Sequence, residues 1–299
     1  MAAPASTAAV VDRAQGNVLV RAAKRFMADK MTDHAAALTY YAMMSLFPGL
    51  LVIVTLLGLV GQQGLVTDAT NYLLKHGVDK GTVDQIATAL KHMISTSSGA
   101  LSITLVVSLV LALNGAAGAF GAAGRALNIV YRVEETRGLA RRKMNDLLVA
   151  LAVIVLLLIV LIAVFLGGQI AHDLFGKIGL GDTAAKIWSI VRWPVAFVAA
   201  AVAYALVYGL APNREPRRVI WISVGAVLAI VLWLLLSAAF SFYVRNFSNY
   251  GAVYGTFASA IVLLLWLYLS ANAFLYGAEL NAERADGNQS STRSVSSGG

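Results

Sequence analysis

The chain has 299 residues, of which 59% are hydrophobic and 13% charged, with a net charge of +8. A soluble domain carries roughly 25% charged residues, so this composition excludes a water-soluble enzyme and predicts a membrane protein. There are no cysteines and four scattered histidines, His34, His76, His92 and His172; disulfides, thiolate chemistry and a clustered zinc or di-metal centre are excluded. No catalytic, metal-binding or cofactor-binding residue is therefore expected.

In chain order, residues 1–38 read as a cytoplasmic amphipathic segment. No apolar run precedes a small-residue cleavage site, so no cleaved signal peptide is expected. Val18–Met31 places Leu19, Ala22, Ala23, Phe26 and Met27 on one helical face and Arg21, Lys24 and Arg25 on the other. That pattern predicts a helix lying on the anionic inner leaflet, its basic residues facing lipid headgroups.

A bilayer core about 30 Å thick needs about 20 mostly apolar residues in helix. Six stretches qualify within a transmembrane domain over 39–280: about 39–61, 101–124, 147–168, 188–210, 219–242 and 254–278. The expected fold class is all-α, a polytopic membrane helix bundle of six spans. Span 1 contains Pro48 within Ser45-Leu46-Phe47-Pro48-Gly49. Proline removes a backbone donor and collides with the carbonyl four residues back. Either a plain kink with Ser45 re-satisfying the backbone or a broken helix lining a cavity follows, the kink being favoured. The external loop predicts two short helices, one capped by Thr67 and stopping at Gly77, the other opened by a Thr82-x-x-Gln85 capping box.

Span 2 carries Asn114 and then glycines at 115, 118, 121 and 124, a bare ridge that lets another helix approach closely. Asn114 and its counterpart Asn272 in span 6 are expected to face the protein interior, because an amide in lipid must find a partner. The loop Arg125–Asp146 is dense in polar residues, including Asn128, Tyr131, Glu135 and Arg137. It predicts an ion-pair network joining spans 2 and 3, or a gate. In span 4, Arg192 beside Trp188 and Trp193 reads as an interfacial anchor, and Tyr204 and Tyr208 as packing residues. Glu279 closes span 6 near its cytoplasmic end, where it either simply reaches water, the favoured reading, or relays protons or pairs with Arg125, Arg137 or another loop base. Residues 281–299, rich in Ser and Gly towards their end, are expected to form a disordered cytoplasmic tail.

Orientation follows from the basic residues. Segments 1–38, 125–146, 211–218 and 279–299 hold 16 of the 23 Lys and Arg, so both termini are expected to be cytoplasmic.

Tyr40-Tyr41-Ala42-Met43-Met44-Ser45-Leu46-Phe47-Pro48 resembles the first-span signature of the YihY/BrkB family of bacterial inner-membrane proteins. Leu127–Arg137 is similar to that family's central cytoplasmic motif. Tyr250, Tyr254-Gly255, Trp266-Leu267-Tyr268 and Gly277–Glu283 resemble its C-terminal signature. The likeness covers roughly residues 20–285, with one departure: Arg132 stands where the family often has a small residue. The resemblance implies a multi-pass inner-membrane protein of poorly defined activity. Some members have been labelled ribonuclease BN, others as virulence or serum-resistance factors, and transport is a frequent suggestion.

A ribonuclease needs clustered metal ligands or a positioned acid and base, and no such set stands out in the sequence, so a non-enzyme is expected. The favoured function is transport or export of a polar solute or envelope lipid, with Ser45, Pro48, Asn114, Asn128, Tyr131, Glu135, Arg137, Asn272 and Glu279 as transport or gating residues. The alternative is a non-transporting structural or assembly factor of the envelope. Expected partners are the lipid bilayer and anionic headgroups at the cytoplasmic face. A homo-oligomer is left open, and no nucleic acid is expected.

Overall fold

A computed structural model of the chain describes residues 17–60, 70–71, 74, 80–81, 83–84, 87–88, 98–165, 175, 181–214, 223–247 and 256–296. Seven α-helices and no strand occur among them: α1 (Val18–Ala28), α2 (Met31–Val60), α3 (Ser98–Val130), α4 (Leu139–Phe165), α5 (Gly181–Leu210), α6 (Val224–Phe247) and α7 (Thr256–Ser296). Six are long and apolar enough to cross a membrane, over Met31–Val52, Ile103–Val130, Leu139–Ala163, Thr183–Leu210, Val224–Tyr243 and Ala260–Gly287. The six expected spans and the all-α class are therefore present. The helices expected at Thr67–Gly77 and from the Thr82–Gln85 box fall largely outside the described residues.

Several helices outrun the apolar stretches that announced them. α3 continues past Arg125 to Val130, and α4 begins at Leu139 rather than 147. Charged residues such as Arg and Lys are good helix formers, so a helix does not end where lipid does. It ends where the backbone is turned. At α3 that turn is a Schellman cap: Val133 N–H donates to the Asn128 carbonyl (2.9 Å) and Arg132 N–H to Ile129 (3.0 Å). α7 likewise runs on to Ser296, which corrects the expected disordered tail over 281–299 as far as residue 296; its polar residues extend a helix already nucleated by the span.

The described chain forms two compact units, Met1–Thr39 with Ala119–Gly299, and Tyr40–Gly118. In the first, α6 packs on α7, α4 on α5, α5 on α6 and α1 on α7. Its core joins Met31, Leu127, Val130, Val149, Tyr208, Leu275 and Ala278 with many alanines. Small side chains allow close helix contact where lipid removes the hydrophobic drive between helices. Conversely, Leu148, Leu151, Val155, Leu158 and Ile162 form an exposed stripe along α4, one face at helical spacing that hydrocarbon would cover.

In the second unit, a Cβ at Gly115 would lie 2.8 Å from Ser45 Cβ, and one at Gly118 2.7 Å from the Tyr41 ring. In the first, one at Gly121 would meet Asp146 at 2.8 Å and one at Gly124 the Ala211 carbonyl at 3.0 Å. The glycine ridge is thus a set of close approaches. α2 runs unbroken through Pro48, so the broken-helix alternative does not hold. Ser45 Oγ donates to the Ala42 carbonyl at 2.9 Å.

Candidate functional site

The first polar cluster is built where the chain turns out of α3. Arg132 occupies the left-handed region, with φ 55°, a position that favours glycine. That geometry explains why a small residue suits the position. Past the turn, Glu135 accepts from Arg137 through Nε and Nη2, both at 2.7 Å, and from its backbone N–H at 3.1 Å. Asn128, buried in the last turn of α3, donates to Glu135 Oε2 at 3.1 Å. The bidentate Arg137 pairing, assisted by Asn128, holds the Glu135 carboxyl down to about 2 despite its partial burial.

This cluster is fastened to the end of α5, where Pro212 follows Ala211 and forbids further helix. Asn213 N–H donates to Asn128 Oδ1 (2.7 Å), and its side-chain amide to the Glu134 carbonyl and Thr136 Oγ1 (both 2.8 Å). Arg137 Nη2 reaches the Ala211 carbonyl at 3.1 Å, and Asn145 of α4 the Leu210 carbonyl at 3.0 Å. The expected network between spans 2 and 3 thus has a third member, the end of span 4, supplied by Asn213.

The second cluster lies between α1 and α7. Ala22 is fully buried, Phe26 meets the Tyr276 ring edge-on at 6.1 Å, and Tyr276 Oη donates to the Leu19 carbonyl at 2.9 Å. Arg21 Nε donates to Glu283 (2.8 Å). Arg25 donates to Glu283 (3.2 Å), to Asp286 (2.8 Å) and to the Val130 carbonyl (2.9 Å). Two of the three basic residues expected to face headgroups therefore turn inward. Helix pairing wins because α7 offers carboxylates at one-turn spacing, Glu279, Glu283 and Asp286, and a guanidinium gains more from them in a sheltered groove than from screened phosphates. Lys24, Val20 and Met27 form the exposed side of α1.

Glu279 does not reach water. It is fully buried, and neither oxygen accepts a hydrogen bond. Its basic neighbour is Arg25, at 3.4 Å through Nε, in place of the expected Arg125 or Arg137. Tyr131, whose hydroxyl burial pushes up to about 12, faces Glu279 and Asn281, with Arg214 stacked 4.3 Å over its ring. Beside it, α6 and α7 cross backbone to backbone at Gly225 and Gly277. Asn281 accepts from Gly225 N–H and donates to Ser223 Oγ, both at 2.8 Å, while Ser223 caps α6 through Ala226 N–H at 3.1 Å.

Of the sequence-predicted residues, Asn128, Tyr131, Glu135 and Arg137 gather at the α3 turn, and Tyr131 links them to Glu279. Asn272 is half-buried and donates to the Tyr268 carbonyl of its own helix at 2.7 Å. Ser45, Pro48 and Asn114 belong to the unit Tyr40–Gly118. Asn114 is exposed, contrary to the interior placement expected of it: the glycine at 115, one position on, turns inward, and the amide on the neighbouring position turns out. Tyr204 and Tyr208 pack against Phe274, with Tyr208 Oη bonded to its carbonyl at 2.6 Å. Arg192 stacks on Trp193 at 4.9 Å. Among the described residues, no group of three or more His, Cys, Asp or Glu is placed to hold a metal ion.

Sequence reasoning passed over Asp29, Asn213, Ser223 and the Gly225–Gly277 pair. A Ser two residues before a helical Gly is a weak cap signal, and nothing in sequence pairs positions 52 apart.

A family model described as virulence factor BrkB matches residues 22–297. Over 86% of its length the chain is 28% identical to YfkH of Bacillus subtilis, described as ribonuclease-like, covering 91% of that protein. It is 26% identical to a UPF0761 membrane protein of Aeromonas salmonicida, covering 85% of it, and 28% identical to one of Alkalilimnicola ehrlichii, of which it spans 56%. No solved structure matches the chain.

Proposed function

The chain belongs to the virulence factor BrkB family of bacterial inner-membrane proteins, and from that premise we propose that it is a transporter or exporter of a polar solute or envelope lipid. One observation carries this reading. A carboxylate, Glu279, sits fully buried and without a hydrogen-bond donor in a helix otherwise fit to cross the bilayer. Such a group is costly, and ionisable residues inside spans mark substrate or ion pathways. Glu135, Arg137, Asn128 and Tyr131 would then form the gate adjoining it. Both termini face the cytoplasm in this scheme, where exposed Lys24, Arg141 and Lys143 meet anionic headgroups. The protein acts without enzymatic turnover in this reading, Glu135, Glu283 and Asp286 being committed to guanidiniums rather than to a metal or a general-base role.

The test is flux in proteoliposomes, with fluorescent phosphatidylethanolamine as the lipid probe and radiolabelled amino acids and sugars as solute probes. Flux above empty vesicles, lost in Glu279→Gln while the protein still inserts, supports transport. Undiminished flux in Glu279→Gln removes the residue from the pathway.

The assembly-factor reading draws on one feature: α2 is continuous through Pro48, so that helix offers a solute no half-helix end. Absence of flux together with a stoichiometric co-purified partner would favour it.

A further inference from the structure

The charges at the α1–α7 junction do not balance. Asp29, Glu279, Glu283 and Asp286 face Arg21, Arg25 and Arg132, four potential anions against three cations. The hydrogen bonds those cations donate go elsewhere. Arg21 and Arg25 donate to Glu283, Asp286 and the Val130 carbonyl, and Arg132 lies 2.9 Å from Asp29. Glu279 is left with the Nε of Arg25, at 3.4 Å and itself without a hydrogen bond. The carboxyl within hydrogen-bonding reach of Glu279 is that of Asp29, whose side chain is 8% exposed and whose Oδ2 also accepts no hydrogen bond. From the α3 turn the titratable neighbours are Tyr131 and Arg132. Arg214 stands beyond the Tyr131 ring.

An ionised carboxylate only accepts hydrogen bonds. Two of them meeting out of water cannot both remain ionised, because each raises the energy of its neighbour's charge. One proton resolves both defects. It provides the missing donor, as a carboxyl O–H directed at the opposite carboxylate oxygen, and it equalises the charge count. We propose that Asp29 and Glu279 share a single proton, which makes the α1–α7 junction a proton-binding site whose occupancy holds α1 on α7. When the proton leaves to bulk base, two adjacent carboxylates remain. The relief open to them is separation of α1, hinged at Lys30, which already occupies the left-handed region at φ 51°.

This deepens the transport reading by identifying the coupling ion, yet the proton is assayed without flux, so either can fail alone. Infrared spectra of the full chain in lipid nanodiscs should contain a carboxylic-acid C=O band at neutral pH. The band should disappear in alkali and be missing in both Asp29→Asn and Glu279→Gln, whose amides replace the shared proton with an N–H donor. Seating of α1 is read separately. The chain has no cysteine, so Ala22→Cys, buried against α7, reports release through maleimide labelling, normalised to the exposed Met27→Cys. The ratio should rise about tenfold for each pH unit as the midpoint of that band is approached from below, level off above it, and stay flat when Glu279→Gln or Asp29→Asn is added. A wild-type spectrum lacking the band, a band that survives both substitutions, or a labelling ratio independent of pH would each overturn the proposal. Should one substituted chain fail to fold, the other carries the same measurement.

Discussion

Replacing Gly277 by alanine tests how tightly the last two spans are locked. The new methyl would meet the Gly225 carbonyl oxygen, Ala229 Cβ at 2.7 Å and Tyr208 Oη at 2.8 Å. The first two cannot rotate away. The third is tethered to the Phe274 carbonyl at 2.6 Å. The helices must therefore part, at an overpacking cost of about 1–3 kcal/mol. Parting them also stretches the two bonds Asn281 makes to Gly225 and Ser223, each about 0.6 kcal/mol in a membrane protein. Against this stands the helix propensity gained over glycine, about 1 kcal/mol. The net expectation is a loss of about 1–3 kcal/mol, measured by reversible unfolding in mixed detergent micelles. Gly49→Ala is the control, because nothing lies within 4 Å of its Cβ position; it should be neutral or gain up to about 1 kcal/mol. Equal stability of Gly277→Ala and wild type, or an equal loss in both variants, would refute the close crossing.

Three further substitutions probe the turns that follow α1 and α3. Glu135 is held down to about 2 against an ordinary 4.5, so its stabilisation is complete above the higher value and fades as pH falls towards the lower. The difference in thermal midpoint between wild type and Glu135→Gln should be constant above about pH 5 and shrink steadily below it; a difference growing in acid would reverse the sign. Lys30 and Arg132 both occupy the left-handed region, which costs a non-glycine residue about 1–2 kcal/mol. Lys30→Gly should raise the thermal midpoint. Arg132→Gly should raise it less, because the contact to Asp29 is lost as well; the opposite ranking in parallel melts would contradict this account.

The composition and the lengths of the apolar stretches determined the class of protein and its six spans, because a bilayer imposes one length and one rule of backbone satisfaction on any sequence that crosses it. The loop cluster was legible too: Asn128, Glu135 and Arg137 are near neighbours in the chain, and local spacing suffices to bring them together. Glycine spacing on span 2 announced close approach, though not to which neighbour.

Long-range partnership was a matter for the tertiary structure. Arg21 and Arg25 sit on a polar helical face that suits a lipid surface and a groove of carboxylates equally well; only the docking of α1 on α7, more than 250 residues away in sequence, chose between them. The same docking decided that Glu279 is enclosed and that Asp29 stands against it. A hydrophobic pattern records which face of a helix is buried, since that depends on each residue's own transfer energy. Which charge meets which across two helices depends on their relative rotation and depth, and no periodicity within either helix contains those two quantities.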